Sequence, residues 1–232
     1  MNYEEGETIL VDKPLHWTSF DVVNKLRWNI KQALGVKKIK VGHAGTLDPL
    51  ATGLLIICIG KHTKRIDELM VGMKTYTGTI LLGKTTPSYD LESEYDQEFP
   101  TEHITTELLD QARLQFIGTI QQVPPIFSAK QVDGKRAYDL ARAGKAVELK
   151  ANTIEISSFE ISTERFPEVD FIVSCSKGTY IRSIASDFGK ALQSGGTLIS
   201  LRRTMSGGLS IENAKSVEEW IEVIRGTSEI TT

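Results

Sequence analysis

Asp48 is the acidic residue whose surroundings in the sequence best suit chemistry. It lies between Leu47 and Pro49 in VGHAGTLDPLATG, residues 41–53, a Gly-rich stretch with no other acid and no Lys or Arg. An aspartate presented on a loop can act as a covalent nucleophile at a sugar carbon or as a base. Asp-Pro is also common in turns, where the carboxylate hydrogen-bonds the neighbouring backbone without any catalysis. From these residues alone, both interpretations stay open.

His43 lies in the same stretch, shortly before Asp48, and either contacts a substrate or fills a turn. Neither a second carboxylate in a comparable loop nor a group of His and Cys residues lies nearby, so metal-dependent hydrolysis has little support. The sequence also lacks a Gly-rich phosphate-binding loop of the nucleotide-binding kinds. The motifs therefore indicate neither a metal site nor a nucleotide cofactor site.

The charges are segregated along a chain whose net charge is only −3. Residues 13–65 contain ten Lys or Arg against two acids, and residues 127–150 contain six against three. Residues 88–110 contain eight acids and no Lys or Arg. The two basic segments could build one surface that faces a polyanion, whereas plain solvated faces are the alternative. We expect the acidic stretch 88–110 to lie on a surface turned away from such a partner.

Hydrophobic periodicity and turn signals predict a mixed pattern of helices and strands. One helix should begin at Thr18 or Ser19, carry Asp21 in its first turn and run up to Gly35. Further helices are predicted at 105–116, 136–143, 179–193 and 215–224, and strands at 7–11, 54–60, 75–83, 153–161, 169–176 and 197–204. Residues 41–53 are predicted to form a loop. Because strands outnumber the helices between them, we predict an α+β fold with a large mixed, mainly antiparallel sheet flanked by helices.

The composition is that of an ordinary globular chain, with 40% apolar and 25% charged residues in a length of 232. No apolar run approaches the ~20 residues that span a bilayer. The acidic N-terminus does not resemble a secretory signal. Cys58 and Cys175 each lie in an apolar, strand-like run, which predicts buried reduced thiols. These features favour the cytoplasm and no membrane association.

The segment GHAGTLDPLATG resembles the catalytic motif of the TruB-type tRNA pseudouridine-55 synthases, in which the Asp of G-H-x-G-T-L-D-P is the essential nucleophile. Further blocks resemble the same family in the same order along the chain. They are DKPLHWTSFDVV (12–23), MKTYTGTILLGKTTPSYD (73–90), VPPIFSAKQVDGKRAYDLARAG (123–144), GTYIRSIASDFG (178–189) and LRRTMSGGLS (201–210). On these ordered blocks the chain is identified as a member of that family.

The resemblance implies the reaction. The enzyme breaks the N1–C1′ bond of the uridine at position 55 in the T-loop of tRNA and rejoins the base through C5. This isomerisation involves no net redox change, so the resemblance implies no cofactor and no metal. The target base must be flipped out of its stack, at a cost of a few kcal/mol.

The resemblance also assigns the catalytic roles of two residues. Asp48 is the nucleophile, which attacks C1′ or C6 or takes the 2′ proton, and the family mechanism leaves these forms open. Arg182, in TYIRS, aligns with the arginine that pairs with the nucleophile and keeps it charged. Without the resemblance, Arg182 would be interpreted as an ordinary surface charge near a helix start.

Four residues take substrate-contacting roles by the same resemblance. The flipped uracil stacks on Tyr76, a contact worth about 1–3 kcal/mol by the usual base–aromatic magnitude. His43 fills or stabilises the place that the base leaves in the RNA. Tyr180 and Leu201 line the uracil and the ribose. Taken alone, Tyr76, Tyr180 and Leu201 would be interpreted as packing residues.

Basic residues in the matched blocks and beside them are candidates for phosphate contacts, which position RNA rather than define the chemistry. The candidates are Lys64, Lys130, Arg142 and Arg202. A solvated charge is the alternative for each. The partner implied is the T-arm of tRNA, and we expect no obligatory protein partner.

The resemblance implies a single catalytic domain over residues 1–232, with 121–150 as a mobile segment that grips the tRNA arm. His16 stands where the family usually has Gly, which predicts an altered turn after the first strand. Phe127 stands where a Tyr is frequent. The chain stops soon after the last matched block, so we expect no full C-terminal RNA-binding (PUA) domain of the kind that many relatives carry.

Three alternatives are weighed against this interpretation. A glycosidase or nucleosidase would need a second carboxylate about 5–10 Å from the first, and no other acid has the loop setting of Asp48. A non-catalytic RNA-binding or RNA-folding protein would not need Asp48, Tyr76 and Arg182 together. Guide-RNA-dependent relatives share the Asp motif but carry the PUA domain and work in a multiprotein particle.

Overall fold

The computed structural model describes residues 3, 5–128, 131–132, 135–136 and 149–226. The chain forms two compact units. Unit 1 comprises Met1–Tyr76 and Arg202–Thr232, and unit 2 comprises Thr77–Leu201.

The helices and strands are numbered here in chain order. The helices are α1 Ser19–Leu34, α2 Ile66–Leu69, α3 Thr106–Leu114, α4 Ile181–Ala191 and α5 Val217–Gly226, with 3-10 turns at Gly60–Arg65 and Ile211–Asn213. The first seven strands are β1 Glu7–Lys13, β2 Val41–Ala44, β3 Ala51–Ile59, β4 Lys74–Leu82, β5 Lys84–Thr85, β6 Gln97–Glu98 and β7 Gly118–Gln122. The remaining strands are β8 Gln131–Val132, β9 Lys135–Arg136, β10 Asn152–Arg165, β11 Glu168–Cys175, β12 Gly196–Ser206, β13 Leu209–Ser210 and β14 Lys215–Ser216.

Helix α1 begins and ends at local signals in the sequence. The Thr18 hydroxyl accepts a hydrogen bond from the backbone N of Asp21 (3.0 Å), and the Asp21 carboxylate accepts one from the backbone N of Thr18 (2.8 Å). This reciprocal capping box satisfies two backbone donors that a helix start leaves open. Gly35 ends the helix in the left-handed region, with φ 67. Between the caps, Val22 and Leu26 are fully buried in the core of unit 1.

In unit 1 the strand order is β14-β1-β3-β12. Strand β1 runs antiparallel to β3, with Val11 opposite Leu55, and β2 also runs antiparallel to β3, with His43 opposite Ile57. Strand β14 pairs parallel with β1. All residues of β3 from 53 to 59 are buried. Burial on both faces explains why this strand is an almost unbroken apolar run rather than an alternating one.

In unit 2 the order is β12-β4-β11-β10-β7. Strands β10 and β11 are antiparallel neighbours, as are β10 and β7. Phe159 lies at the centre of an aromatic cluster and meets Phe116, Phe171 and Phe188 edge to face, at centroid distances of 5.7–6.1 Å. Edge-to-face contacts at this spacing suit the ring quadrupoles, and they anchor α3 and α4 against the sheet of this unit.

The predicted fold class is confirmed: the protein is α+β, with a large mixed sheet whose pairings are mostly antiparallel. Most predicted elements are present within a few residues, including α1, α3, α4 and the long strands. The prediction of a loop over 41–53 was wrong at both ends. Residues 41–44 and 51–53 are strand: 41–44 pair with β3 as strand β2, and Gly53 of β3 pairs with Lys13 of β1, so only 45–50 form the loop.

Two further predictions concern the middle of the chain and the cysteines. Of the predicted helix 136–143, Arg136 lies in β9 instead, and 137–143 lie outside the described residues. The segment 121–150, expected to grip the tRNA arm, also lies partly outside the described residues. Cys58 and Cys175 are free and buried, as predicted. No helix among the described residues is long and apolar enough to cross a membrane.

Candidate active site

The loop 45–50 connects β2 to β3 and carries Asp48, which is half-buried. Gly45 opens the loop with φ 95, a conformation that side chains with a Cβ rarely adopt. Leu47 is buried, and the backbone N of Ala51 donates to the carbonyl of Asp48 at 3.0 Å, which closes a tight turn. The aspartate is therefore presented on a short, internally bonded loop at the end of two paired strands.

The start of α1 holds this loop from one side. The Ser19 hydroxyl accepts a hydrogen bond from the backbone N of Leu47 (2.8 Å) and donates one to the carbonyl of the same residue (3.1 Å). The backbone N of His16 donates to the carbonyl of Pro49 at 2.8 Å. The loop backbone is thus bonded to the first residue of α1 on one side of Asp48 and to the connection before α1 on the other.

Lys13, the last residue of β1, is fully buried beneath this connection. Its Nζ donates to the carbonyls of Trp17 (2.6 Å) and Pro14 (2.9 Å) and lies 3.5 Å from the carbonyl of Pro49. Burial lowers the pKa of Lys13 to about 8, and the negative charge of Asp48 offsets part of that desolvation. A buried cation therefore lies in the electrostatic neighbourhood of the candidate nucleophile.

Arg203 holds both ends of the loop region. Its side chain is buried, its Nε donates to the carbonyl of Leu54 (2.8 Å), and its Nη2 donates to the carbonyl of Gly45 (3.0 Å). A Cβ at Gly53 would lie only 2.3 Å from the backbone oxygen of Arg203, so no larger residue fits there. The planar guanidinium fork thus ties the first residue of the loop to the strand that follows the loop.

His43 lies in β2 two residues before Gly45 and is half-buried. Burial, and secondarily the positive charge of Arg203, lower the pKa of His43 below its ordinary value. Its Nδ1 is buried and has no hydrogen-bond partner among the described atoms. At neutral pH the ring is therefore uncharged, which suits contact with a base better than contact with a phosphate.

The other residues with predicted substrate roles belong to different elements. Tyr76, in β4, is the last residue of the first segment of unit 1 and is buried. Tyr180 and Leu201 belong to unit 2 and are half-buried. Tyr180 precedes α4, and its backbone N and O are both bonded by the Gln122 side-chain amide, at 2.8 and 3.0 Å. The start of α4 is thus fixed by a buried glutamine that the sequence does not single out.

Arg182 is buried in the first turn of α4, not on the surface. Its Nη1 donates to the carbonyls of Phe127 (3.0 Å) and Ser88 (3.4 Å), and its Nε lies 3.6 Å from the Asp90 carboxylate. Asp90 is buried as well. The expectation that 88–110 forms only a surface was therefore wrong for Asp90, because this acid is needed inside to pair with a buried guanidinium.

The four candidate phosphate contacts differ in their environments. Lys64 is exposed in the 3-10 turn of unit 1. Arg202 is half-buried and makes a bidentate pair with Asp12, at 3.0 and 2.6 Å. Lys130 and Arg142 lie outside the described residues. Among the described residues, no three His, Cys, Asp or Glu side chains are grouped so that they could hold a metal ion.

Lys13, Ser19 and Arg203 are functional candidates that the sequence reasoning missed, together with the Asp90 partner of Arg182. Each of them lies inside a sequence block that pointed to the family, so a signal was present. The blocks gave no information on which side chains face the loop, because the contacts join residues far apart in the chain.

A family model described as TruB family pseudouridylate synthase (N terminal domain) matches residues 31–181. The tRNA pseudouridine synthase B of Phocaeicola vulgatus is 58% identical over 225 residues, which is 96% of this chain and 96% of the relative. The enzyme of the same name from Chlorobaculum tepidum is 48% identical and covers 98% of this chain and 95% of the relative.

Solved structures also match along the whole chain. A chain in a crystal structure of a Cbf5-Nop10-Gar1 complex superposes with a TM-score of 0.74 and 27% identity, covering 100% of this chain. A structure of an H/ACA RNP bound to a substrate RNA containing 2'-deoxyuridine gives a TM-score of 0.70 with 25% identity. This chain spans 58% and 56% of the lengths of those chains.

Proposed function

The chain belongs to the TruB family of pseudouridylate synthases, and from that premise we propose that it isomerises the uridine at position 55 in the T-loop of tRNA, with Asp48 as the nucleophile. The chain is a tRNA pseudouridine synthase, and pseudouridine synthases are isomerases. The finer points, namely the T-loop position and the role of Asp48, are the substance of the proposal.

The reaction exchanges one bond for another within a single nucleotide. The N1–C1′ bond breaks, a C5–C1′ bond forms, the proton on C5 is lost, and N1 gains a proton. The Asp48 carboxylate attacks C1′ or C6, or removes the 2′ proton. Each of these forms needs an ionised carboxylate held in a fixed position, and none needs an external oxidant or reductant.

One observation carries the proposal, which is the way the Asp48 loop is held. Ser19 bonds both backbone groups of Leu47, before Asp48, and the backbone N of His16 donates to the carbonyl of Pro49, after it. Fixing the backbone on each side of a reacting group is the structural form of preorganisation, in which misplacement by about 1 Å can cost 100-fold in rate.

Further roles are proposed for residues outside the loop. Tyr76 stacks on the flipped uracil, Tyr180 and Leu201 line the base and ribose, and neutral His43 stabilises the vacated place in the RNA. Arg182 is a buried guanidinium already oriented by the carbonyls of Phe127 and Ser88. Its proposed role is to keep the Asp48 carboxylate ionised through its positive charge. These assignments rest on the resemblance in sequence.

We further propose that the enzyme acts on the T-arm of tRNA in the cytoplasm without an obligatory protein partner. The curated relatives that support this are named tRNA pseudouridine synthase B, and they match this chain over almost all of their length. The Cbf5 chains share the fold but are longer.

The test is pseudouridine formation in an unmodified tRNA transcript with the purified chain alone, mapped by carbodiimide-dependent primer-extension stops. We compare the wild type with Asp48→Asn, which keeps the size of the side chain and removes its charge. Asp67→Asn is the matched control, since Asp67 is an exposed aspartate of the same unit, in α2.

We expect a stop at the T-loop uridine with the wild type and with Asp67→Asn, and none with Asp48→Asn. A stop at another uridine would overturn the proposed position. An active Asp48→Asn variant would overturn the nucleophile. Activity that appears only after a cell extract is added would overturn the independence from a protein partner.

A further inference from the structure

A groove with several lysines along its rim lies in unit 1, at the start of β2. Its volume is about 840 Å³, and it runs between the C-terminal half of α1, the connection 36–40 and the start of β2. Its basic residues are Arg27, Lys31, Lys37, Lys38 and Lys40, and none of the described residues that line it is acidic. A second hollow of about 340 Å³ shares Lys38 and Lys40 with it and adds Lys61 and Lys64. We call the two together the basic groove.

Most of these cations have no acidic partner in the part of the chain that the structure describes. Among the described residues, no carboxylate lies within ion-pair distance of Lys31, Lys37, Lys38, Lys40 or Lys64. Lys61 is paired with Glu5, and Arg27 donates to Asn24 and to the carbonyl of Val41. Five cations in a concave surface repel one another, and an anionic ligand would relieve that repulsion.

The basic groove is also close to Asp48 along the backbone. Val41 and Gly42, the first residues of β2, line the groove, and the loop with Asp48 begins three residues after Gly42. Six residues of fully extended chain span at most about 20 Å, so Gly42, at one edge of the groove, lies within that distance of Asp48. A polyanion whose reacting nucleotide is at Asp48 therefore has neighbouring phosphates within reach of the groove.

We infer that the basic groove binds the sugar–phosphate backbone of the tRNA stem-loop beside the target uridine. Cations on more than one side of a groove are the usual means of following a nucleic-acid strand without reading its bases. The inference rests on the proposed function for the identity of the RNA. It adds a binding surface that gives affinity and register, separate from the residues that act on the base.

The test uses Lys37→Gln/Lys38→Gln and a matched control, Lys25→Gln/Lys215→Gln. Each removes two exposed positive charges from unit 1, but Lys25 and Lys215 do not line the groove. All proteins also carry Asp48→Asn, so that no turnover takes place. The affinity for an unmodified tRNA transcript and for its isolated T-arm stem-loop is measured by fluorescence anisotropy over a series of KCl concentrations.

For the groove variant we expect a Kd roughly three- to tenfold higher on both RNAs, and a slope of log Kd against log salt that is smaller by about 2, one for each lost phosphate contact. The control should keep the wild-type slope. Equal slopes for the groove variant and the control would overturn the inference. A loss on whole tRNA alone would overturn the placement beside the target loop.

This experiment is independent of catalysis. Suppose that the wild-type chain forms no pseudouridine, while the Asp48→Asn proteins show a salt slope that depends on the groove. That result would overturn the proposed function and leave the groove as an RNA-binding surface. An active wild type whose affinity does not depend on Lys37 and Lys38 would overturn the groove and leave the proposed function intact.

Discussion

Ser19 and Leu47 are joined by two hydrogen bonds through a single hydroxyl group: Ser19 Oγ accepts from the Leu47 backbone N and donates to the Leu47 carbonyl. Ser19 is the first residue of α1, and Leu47 directly precedes Asp48. Both backbone groups of Leu47 are buried and need partners. The capped start of a helix therefore fixes the backbone from which the candidate nucleophile projects.

Replacing Ser19 by Ala should weaken both stability and catalysis. The change leaves two buried backbone groups unsatisfied, which costs about 1–3 kcal/mol, and it frees the loop, so the single-turnover rate should fall roughly ten- to hundredfold. Ser206→Ala is the control, because the buried Ser206 hydroxyl has no partner among the described atoms. If both variants unfold in urea at the same midpoint and react at the same rate, the Ser19 contact has no role.

Arg203→Lys should lower kcat while tRNA affinity is retained. The ammonium keeps the charge but cannot bond the carbonyls of Gly45 and Leu54 together, so the loop loses one of its anchors. We expect a drop in kcat of about tenfold or more, with tRNA affinity retained. Arg113→Lys is the control, since Arg113 also donates to a backbone carbonyl, that of Phe159, but in unit 2. Equal kinetics for the two variants would remove Arg203 from loop positioning.

The buried Lys13 predicts a pH dependence of stability. Its pKa is about 8 in the folded state and lies near 10.5 in the unfolded chain, so the folded state releases its proton first. The penalty for burying the charge is complete below pH 8 and disappears as the pH rises towards 10.5. The free energy of unfolding of the wild type, relative to Lys13→Met, should therefore rise by roughly 2–4 kcal/mol over that range.

Urea unfolding at several pH values measures this difference, and groups common to both proteins cancel. Lys25→Met, at an exposed position, is the control for replacing a lysine by methionine. A difference for Lys13→Met that does not change with pH would mean that the Lys13 pKa is not lowered.

His16 adopts φ 66, in the left-handed region, while its backbone N bonds the carbonyl of Pro49. A residue with a Cβ is strained there by about 1–2 kcal/mol, and glycine relieves that strain at some cost in unfolded-chain entropy. His16→Gly should therefore raise Tm by about 2–4 °C, whereas His16→Ala should not. A stabilising His16→Ala would show that the side chain, not the backbone, is unfavourable. The sequence predicted an altered turn because His16 stands where the family usually has Gly. The backbone of the turn instead keeps the left-handed conformation that suits glycine, and His16 is strained in it.

Local patterns were sufficient for much of the fold. The cap at Thr18, the apolar spacing in α1 and the unbroken apolar run of β3 all depend on residues that are neighbours in the chain, and each predicted its element correctly. The boundaries of the 41–53 loop depended instead on pairing with β1 and β3, which no pattern within that segment reveals.

The sequence by itself determined the family, the α+β class, the two buried cysteines and the loop that holds Asp48. Only the tertiary structure decided that Ser19, Lys13 and Arg203 support that loop, that Arg182 is buried against Asp90, and that lysines from several elements line one groove. The physical reason is the range of the interactions. Caps and periodicity act within a few residues, whereas Ser19 meets Leu47 across 28 positions and Arg203 meets Gly45 across 158. Such contacts follow from strand register and helix placement, which exist only once the chain has folded.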